Sequence, residues 1–193
     1  MAIKRPGRAA AAAPRGAKGQ AAPAGAAPRA CRYWLMKSEP DVFSFADLEA
    51  APRRTTFWEG VRNYQARNFM RDDMRVGDLV LYYHSNATPS GVAGVAEVAQ
   101  AASPDPSQFD PASDYHDAGA DPDAPRWLGV HLRALAPLRA LVAIADLKAN
   151  PALGAMAVVQ RGQRLSVQPV TAEEFAEVLR MGGLEMSDLR IRQ

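Results

Sequence analysis

Five apolar runs of strand length, set apart by turns and short helical stretches, constrain the fold of this 193-residue chain more than any other feature. Tyr33-Trp34-Leu35-Met36 reads as a buried strand that stops at the polar Lys37-Ser38-Glu39-Pro40. Leu79–Tyr83 follows the turn signal Gly77-Asp78, and Gly91–Val98 alternates small and branched residues. Gly91 and Gly94 predict close approach of another backbone or of a ligand. Trp127–Leu138 reads as a long strand and Arg164–Val170 as the last one. Between them, Ser44 with Asp47 makes a capping box in front of a helix over Phe45–Ala50. Ala66, Phe69, Met70 and Met74 recur at helical spacing and predict an amphipathic helix over about 64–74. A short helix over Leu141–Ala149 ends at Asn150-Pro151. Thr171 with Glu174 caps another through Phe175, Val178 and Leu179, closed by Gly182-Gly183. Strands without repeating strand–helix units point to an α+β domain, a mixed sheet or a small barrel.

Charge divides the chain. Residues 1–32 carry Lys4, Arg5, Arg8, Arg15, Lys18, Arg29 and Arg32 and no acidic residue, so with a net charge of +2 the remainder is at −5. Thirteen alanines lie in the first thirty residues, but Pro6, Pro14, Pro23 and Pro28 with four glycines interrupt every helical turn. Residues 1–31 are therefore expected to be a disordered basic tail. A nucleic-acid-binding arm and an organelle transit peptide are the alternatives. The fold is expected over 32–183, with 184–193 as a C-terminal extension. A mildly acidic domain does not grip a long duplex through a broad basic face.

Composition excludes several classes. Apolar residues make up 48%, enough for a core, yet no run reaches the eighteen or so residues of a membrane span. One cysteine, Cys31, rules out an internal disulfide and a multi-cysteine zinc site, and three histidines leave little for a metal centre. No phosphate-cradling glycine loop and no G-x-S-x-G elbow occur. Adjacent His84 and Ser85 would point to opposite faces of a strand, so they are not poised as base and nucleophile. A non-enzyme without cofactor or metal is expected. Residues 103–126, with five prolines and six aspartates, form a long acidic loop of the kind that more often serves function than mere connection.

What remains is aromatics beside polar groups. Trp58 stands among Thr55, Thr56, Glu59 and Gly60 and is followed by Arg62-Asn63-Tyr64-Gln65. It is either a core tryptophan or one wall of a pocket for a planar heterocycle, with amides and guanidinium reading the edge. Stacking a base contributes about 1–3 kcal/mol, while extracting it from a duplex costs a few, so such a pocket needs hydrogen-bond partners as well. Tyr82-Tyr83-His84-Ser85-Asn86 is the second such place; a strand there would set Tyr83 and Ser85 on one face, Tyr82 and His84 on the other. Asp114-Tyr115-His116 is read as either a lid or a surface excursion.

The segments Trp34-Leu-Met-Lys-Ser-Glu-Pro40, Trp58-Glu-Gly-Val-Arg-Asn-Tyr-Gln-Ala-Arg-Asn68, Gly77-Asp-Leu-Val-Leu-Tyr-Tyr-His-Ser85 and Gly91-Val-Ala-Gly-Val-Ala-Glu-Val98 resemble the EVE domain family. So do Phe109-Asp-Pro111, Pro125-Arg-Trp127, Leu147-Lys-Ala-Asn-Pro151 and Leu165-Ser-Val-Gln-Pro-Val-Thr171. The resemblance runs in order from about Tyr33 to Met181. It implies a PUA-like fold, a small mixed β-barrel with short flanking helices, related to YTH readers of methylated adenine. It also implies a non-catalytic reader taking a flipped modified nucleobase, modified cytosine in DNA foremost. A modified-RNA reader and a hydrolase of modified nucleosides are the alternatives. On the family pattern Trp58 would be a cage aromatic, with Lys37 and Ser38 at the pocket edge. Tyr83, His84 and Ser85 would form an adjoining wall with Asn63 nearby, and Asp114 and Tyr115 would close the side. Leu128-Gly129, where relatives often carry a second bulky aromatic, predicts a more open cage. The expected partner is nucleic acid with a modified base, DNA ahead of RNA, bound by a monomer with no membrane contact. The expected location is the cytoplasm for a bacterial chain or the nucleus for a eukaryotic one.

Overall fold

A computed structural model of the chain describes residues 31–190. Residues 1–30, on which the expected basic tail falls, and 191–193 lie outside the described residues.

The apolar runs assemble one mixed sheet. Strand β1 (Tyr33–Ser38) pairs in parallel with β3 (Leu79–His84), so that Tyr33 meets Leu79 and Ser38 meets His84. A parallel pair needs a crossover connection. Here it comprises α1 (Pro40–Phe43), α2 (Phe45–Ala50), the short strand β2 (Thr55–Phe57) and α3 (Tyr64–Asn68). Strand β4 (Gly91–Pro104) runs antiparallel to β3, and β5 (Leu128–Ala143) antiparallel to β4. Strand β6 (Val167–Val170) adds to the free edge of β1, and β2 to that of β5. The order is β2-β5-β4-β3-β1-β6, with several register shifts along β4–β5 that bend the sheet.

Period-two alternation sends successive side chains to two cores, one on each face. Val80 and Tyr82 of β3 enter the first, with Trp34, Met36, Phe43, Phe45, Leu48, Trp58, Met70 and Met74. Leu81 and Tyr83 enter the second, with Leu35, Val95, Leu138 and Leu147. Helix α5 (Ala172–Met181) covers the second core with Phe175, Val178 and Leu179. Leu184 and Leu189 join that core too, the latter from α6 (Met186–Arg190), so packing extends past Gly183.

Both capping boxes form as their sequences specify: Ser44 accepts from the Asp47 N–H, and Thr171 from the Glu174 N–H. Other boundaries move for long-range reasons. Helix α3 passes at Phe69 into a π-turn over Phe69–Asp73, closed by the Met74 N–H donating to the Phe69 carbonyl. Strand β5 reaches Ala143 because Val142 pairs with Val92 and Ala143 with Gly91, so α4 (Ile144–Ala149) begins three residues later than its pattern predicts. Strand β4 likewise runs to Pro104 rather than ending at Val98. The two strand glycines are filled by protein: a Cβ on Gly91 would strike the Val142 carbonyl, and one on Gly94 the Phe45 ring.

Candidate functional site

The parallel register of β1 and β3 brings Lys37, Ser38, His84 and Ser85 to one end of the sheet. Ser38 and His84 are direct neighbours there, and the Ser85 N–H donates to the Ser38 carbonyl at 2.7 Å. The Ser85 hydroxyl donates to the same carbonyl at 3.2 Å, and the Ser38 hydroxyl to Phe43 O at 2.6 Å. His84 Nε2 accepts the Phe45 N–H at 3.0 Å, which puts the proton of the neutral ring on Nδ1; burial lowers the pKa and keeps the ring neutral. Tyr82, whose phenol donates to Phe43 O at 2.8 Å, stands edge-on to Phe45, Trp58 and His84, with centroids 5.4, 5.5 and 5.8 Å away. Burial pushes its hydroxyl pKa up. Tyr83, from the same strand, is placed otherwise: it points into the second core, on the opposite face from Tyr82 and His84.

Trp58 continues β2 and its N–H donates to Val130 O at 2.8 Å. Its indole is 1% exposed and belongs to the first core, so the accessible flank expected of a cage wall is absent from this conformation. Nor does Gly129 open the wall. A Cβ there would collide with the Trp58 carbonyl and approach the Phe57 ring, so the β2 backbone occupies the room that the missing side chain leaves.

The next residues fasten the acidic loop. Gly60, at φ +80°, donates its N–H to Asp105 at 2.9 Å, and a Cβ on it would lie 2.8 Å from the Tyr115 ring. Tyr115 therefore rests on bare glycine backbone. Arg62 donates to Asp105 at 2.7 Å, to the Ser107 hydroxyl at 3.0 Å and through Nε and Nη2 to the Tyr115 carbonyl. Its guanidinium also lies 5.7 Å from the Tyr115 ring centroid and 5.5 Å from that of Trp127. Asp105 is buried, and its other oxygen accepts from the Ser107 N–H and hydroxyl. Gln108 bridges Asp105 O and Trp127 O while accepting from the Arg126 and Trp127 N–H groups. The loop is thus a built part of the domain, and Arg62 is committed to it rather than to edge reading. Glu59 beside it is half-buried, and burial, then the Asp105 charge, raises its carboxyl pKa against the pull of Arg62. Burial raises the Tyr115 phenol as well, reinforced by Glu59, Asp114 and Glu39, so Asp114 and Tyr115 share an acidic rim.

The open space lies beside these groups. A cleft of about 280 Å³ is lined by Val61, Arg62, Asn63, Arg164, Leu165 and Ser166. Lys37 ties its far wall to β1, with its N–H on Ser166 O at 2.9 Å and its ammonium on Gln163 O at 3.1 Å; burial lowers the ammonium pKa. Asn63 caps α3, its Oδ1 accepting the Ala66 N–H at 3.1 Å. That bond fixes the amide, so Nδ2 is left as the donor pole. Of the expected site residues, Asn63 lines the cleft, Lys37 bonds to the backbone of the segment that forms its far wall, and Ser38, His84 and Ser85 share the strand ends. Trp58 lies behind these in the core, and Asp114 and Tyr115 border the Glu59–Arg62 segment. Arg164 and Ser166 were missed, because a basic residue just before a short strand carries no distinguishing pattern. Among the described residues no group of three or more metal-ligating side chains occurs, and no helix is long and apolar enough to cross a membrane.

A small mixed α+β domain, with a donor-rich cleft beside the ends of two parallel strands, is the class that fold and geometry define. The EVE domain family model matches residues 32–181, and the chain belongs to that family. It is 40% identical to human thymocyte nuclear protein 1 over 172 residues, 80% of this chain and 76% of the relative. A crystal structure of a Pseudomonas syringae protein, 43% identical, superposes with a TM-score of 0.74, covering 78% of this chain and 99% of that one. The human THYN1 protein in complex with 5-methylcytosine-containing DNA, 38% identical, superposes equally well at 0.74, covering 80% and 99%.

Proposed function

We propose that the chain is a non-catalytic reader of nucleic acid that receives a flipped, modified nucleobase, a modified cytosine in DNA foremost. The observation that carries this reading is the relative, 38% identical over most of this chain, whose structure contains 5-methylcytosine DNA. The local chemistry is compatible. Cytosine presents two adjacent acceptors, O2 and N3, and the cleft offers donors: the Asn63 amide NH2 and the Arg164 guanidinium. Its volume, about 280 Å³, is near the lower end of small-ligand pockets and suits one heterocycle. Lys37 holds the far wall in place through its bonds to Ser166 O and Gln163 O. Trp58, buried in the first core, does not offer its ring to the base in this conformation. No hydrolytic step suggests itself, because His84 already spends Nε2 on the Phe45 N–H and is no free base.

Asn63→Asp tests the reading. Aspartate keeps the oxygen that caps α3 but replaces the donor with an acceptor. Wild-type protein should bind a methylated duplex more tightly than its unmodified twin and than the matching RNA. In the variant that preference should fall at least about tenfold while the melting temperature holds. Equal binding of methylated and unmethylated DNA by the wild type overturns the reading. Tighter binding of modified RNA moves it to the ribo alternative, since the 2′-hydroxyl is the distinguishing group. Turnover of free modified nucleosides, followed chromatographically, would make the protein an enzyme instead.

A further inference from the structure

A larger cavity, about 620 Å³, opens between α2 and β2 and shares no lining residue with the cleft. Phe43, Pro52 and Phe57 supply apolar wall, and Arg53, Gln100 and His131 the polar groups. Its size is that of a small-molecule site.

Two features of the wall stand out besides its size. His131 Nδ1 is buried without a hydrogen-bond partner among the described residues, while the ring stands edge-on to Phe57 at 5.0 Å. That atom is closed off from the open space, so the ring takes part through its edge-on contact with Phe57 rather than as a donor or acceptor. Arg53 holds the second. Its backbone sits at φ 57°, ψ 23°, the left-handed region that glycine adopts without strain and a side chain does not. Arg54 follows at φ 55°, with its guanidinium bonded to Glu49 at 2.8 Å and its backbone N–H to Ala51 O at 2.7 Å. Arg53 has no such partner among the described residues, and Asp47, the acid in the same wall, is occupied by the Ser44 N–H and hydroxyl. Strain retained under an uncommitted cation at a cavity rim is what a ligand clamp looks like.

We propose that this cavity is a second ligand site, for a small planar aromatic carboxylate. Its ring lies against Phe43, Pro52 and Phe57, and its carboxylate meets the Arg53 guanidinium. One forked cation suits a carboxylate, which it can bind through two parallel hydrogen bonds. The site does not depend on the base-reading proposal.

The test titrates the full chain, labelled with ¹⁵N, with 2-naphthoate, and in parallel with the neutral 2-naphthalenemethanol. Saturable shifts are expected at the amides of Thr55, Thr56, Phe57 and His131, with the alcohol binding at least about tenfold more weakly. Arg53→Gly suits the left-handed backbone, so its melting temperature should not fall, yet naphthoate affinity should drop at least about tenfold. Arg53→Gln, which removes charge but not length, should do the same. Both variants should bind methylated DNA as the wild type does. No saturable shift at millimolar naphthoate, shifts centred on Asn63 and Ser166, or unchanged affinity in both variants overturns the proposal.

Discussion

Trp58 shows how one residue can be conspicuous in a sequence for one reason and constrained in the fold for another. Its polar neighbours suggest a wall for a heterocycle, yet the indole is closed in the first core, edge-on to Tyr82. Trp58→Ala should therefore cost about 3–5 kcal/mol, the range for emptying a large aromatic site. Denaturant unfolding should register this as a lower midpoint with little change in slope. Any loss of DNA binding in that variant must be read against its stability, whereas Asn63→Asp is free of that confusion. Arg62 was legible as a polar group near the site but not in its role. Only the fold shows that it faces the buried Asp105, forty-three residues further on, and is used up in holding the loop. Asn63 was legible in identity, but the orientation of its amide followed from the cap of α3.

At the level of elements, legibility tracks sequence distance. Capping boxes, the Gly77-Asp78 turn and the apolar runs are local signals, and each marks the element it announced. The far ends of β4 and β5 were not visible, because what extends them is pairing with distant residues, Pro104 with Leu128 and Ala143 with Gly91. The junction of α4 and α5 is a further case. Glu177 of α5 accepts from Asn150, the residue that ends α4, at 2.6 Å, and pairs with Arg180 at 2.7 Å. The Arg180 hydrogen bond, then that of Asn150, lowers its carboxyl pKa from 4.5 to about 2. A depressed folded-state pKa means that the ionised carboxylate stabilises the fold above about pH 4.5, and that this contribution is lost as the pH falls toward 2. In Glu177→Gln, stability between pH 4.5 and 2 should fall less steeply than in the wild type. Denaturation midpoints measured at a series of pH values check this, and parallel curves would deny the linkage.

For the whole molecule, the division of charge is the dominant feature. Seven basic residues stand before Tyr33, and the rest of the chain is at −5. If nucleic-acid affinity is shared between a base-reading cleft and that basic segment, removing residues 1–30 should separate the two. Overall affinity should fall and the dependence of log K on log salt should become shallower, by about 0.9 for each phosphate that the segment had neutralised. The preference for the modified base should stay. Anisotropy titrations over a salt series measure both quantities, and an unchanged slope would make the segment a bystander. Fold class was legible at this scale because strand runs without a strand–helix repeat leave few architectures open. The cleft was not, since it forms where residues 61–63 meet 164–166, two stretches that no local pattern joins.

The place of β1 in the sheet has a further consequence. It is the first strand among the described residues, yet its two neighbours are β3 and β6, the latter ending at Val170. A ribosome must therefore deliver the chain through β6 before this strand can be flanked on both sides. Until then, a nascent chain stalled short of residue 167 presents an apolar, unzipped border, the kind of surface that chaperones cover and that premature termination would leave permanently bare.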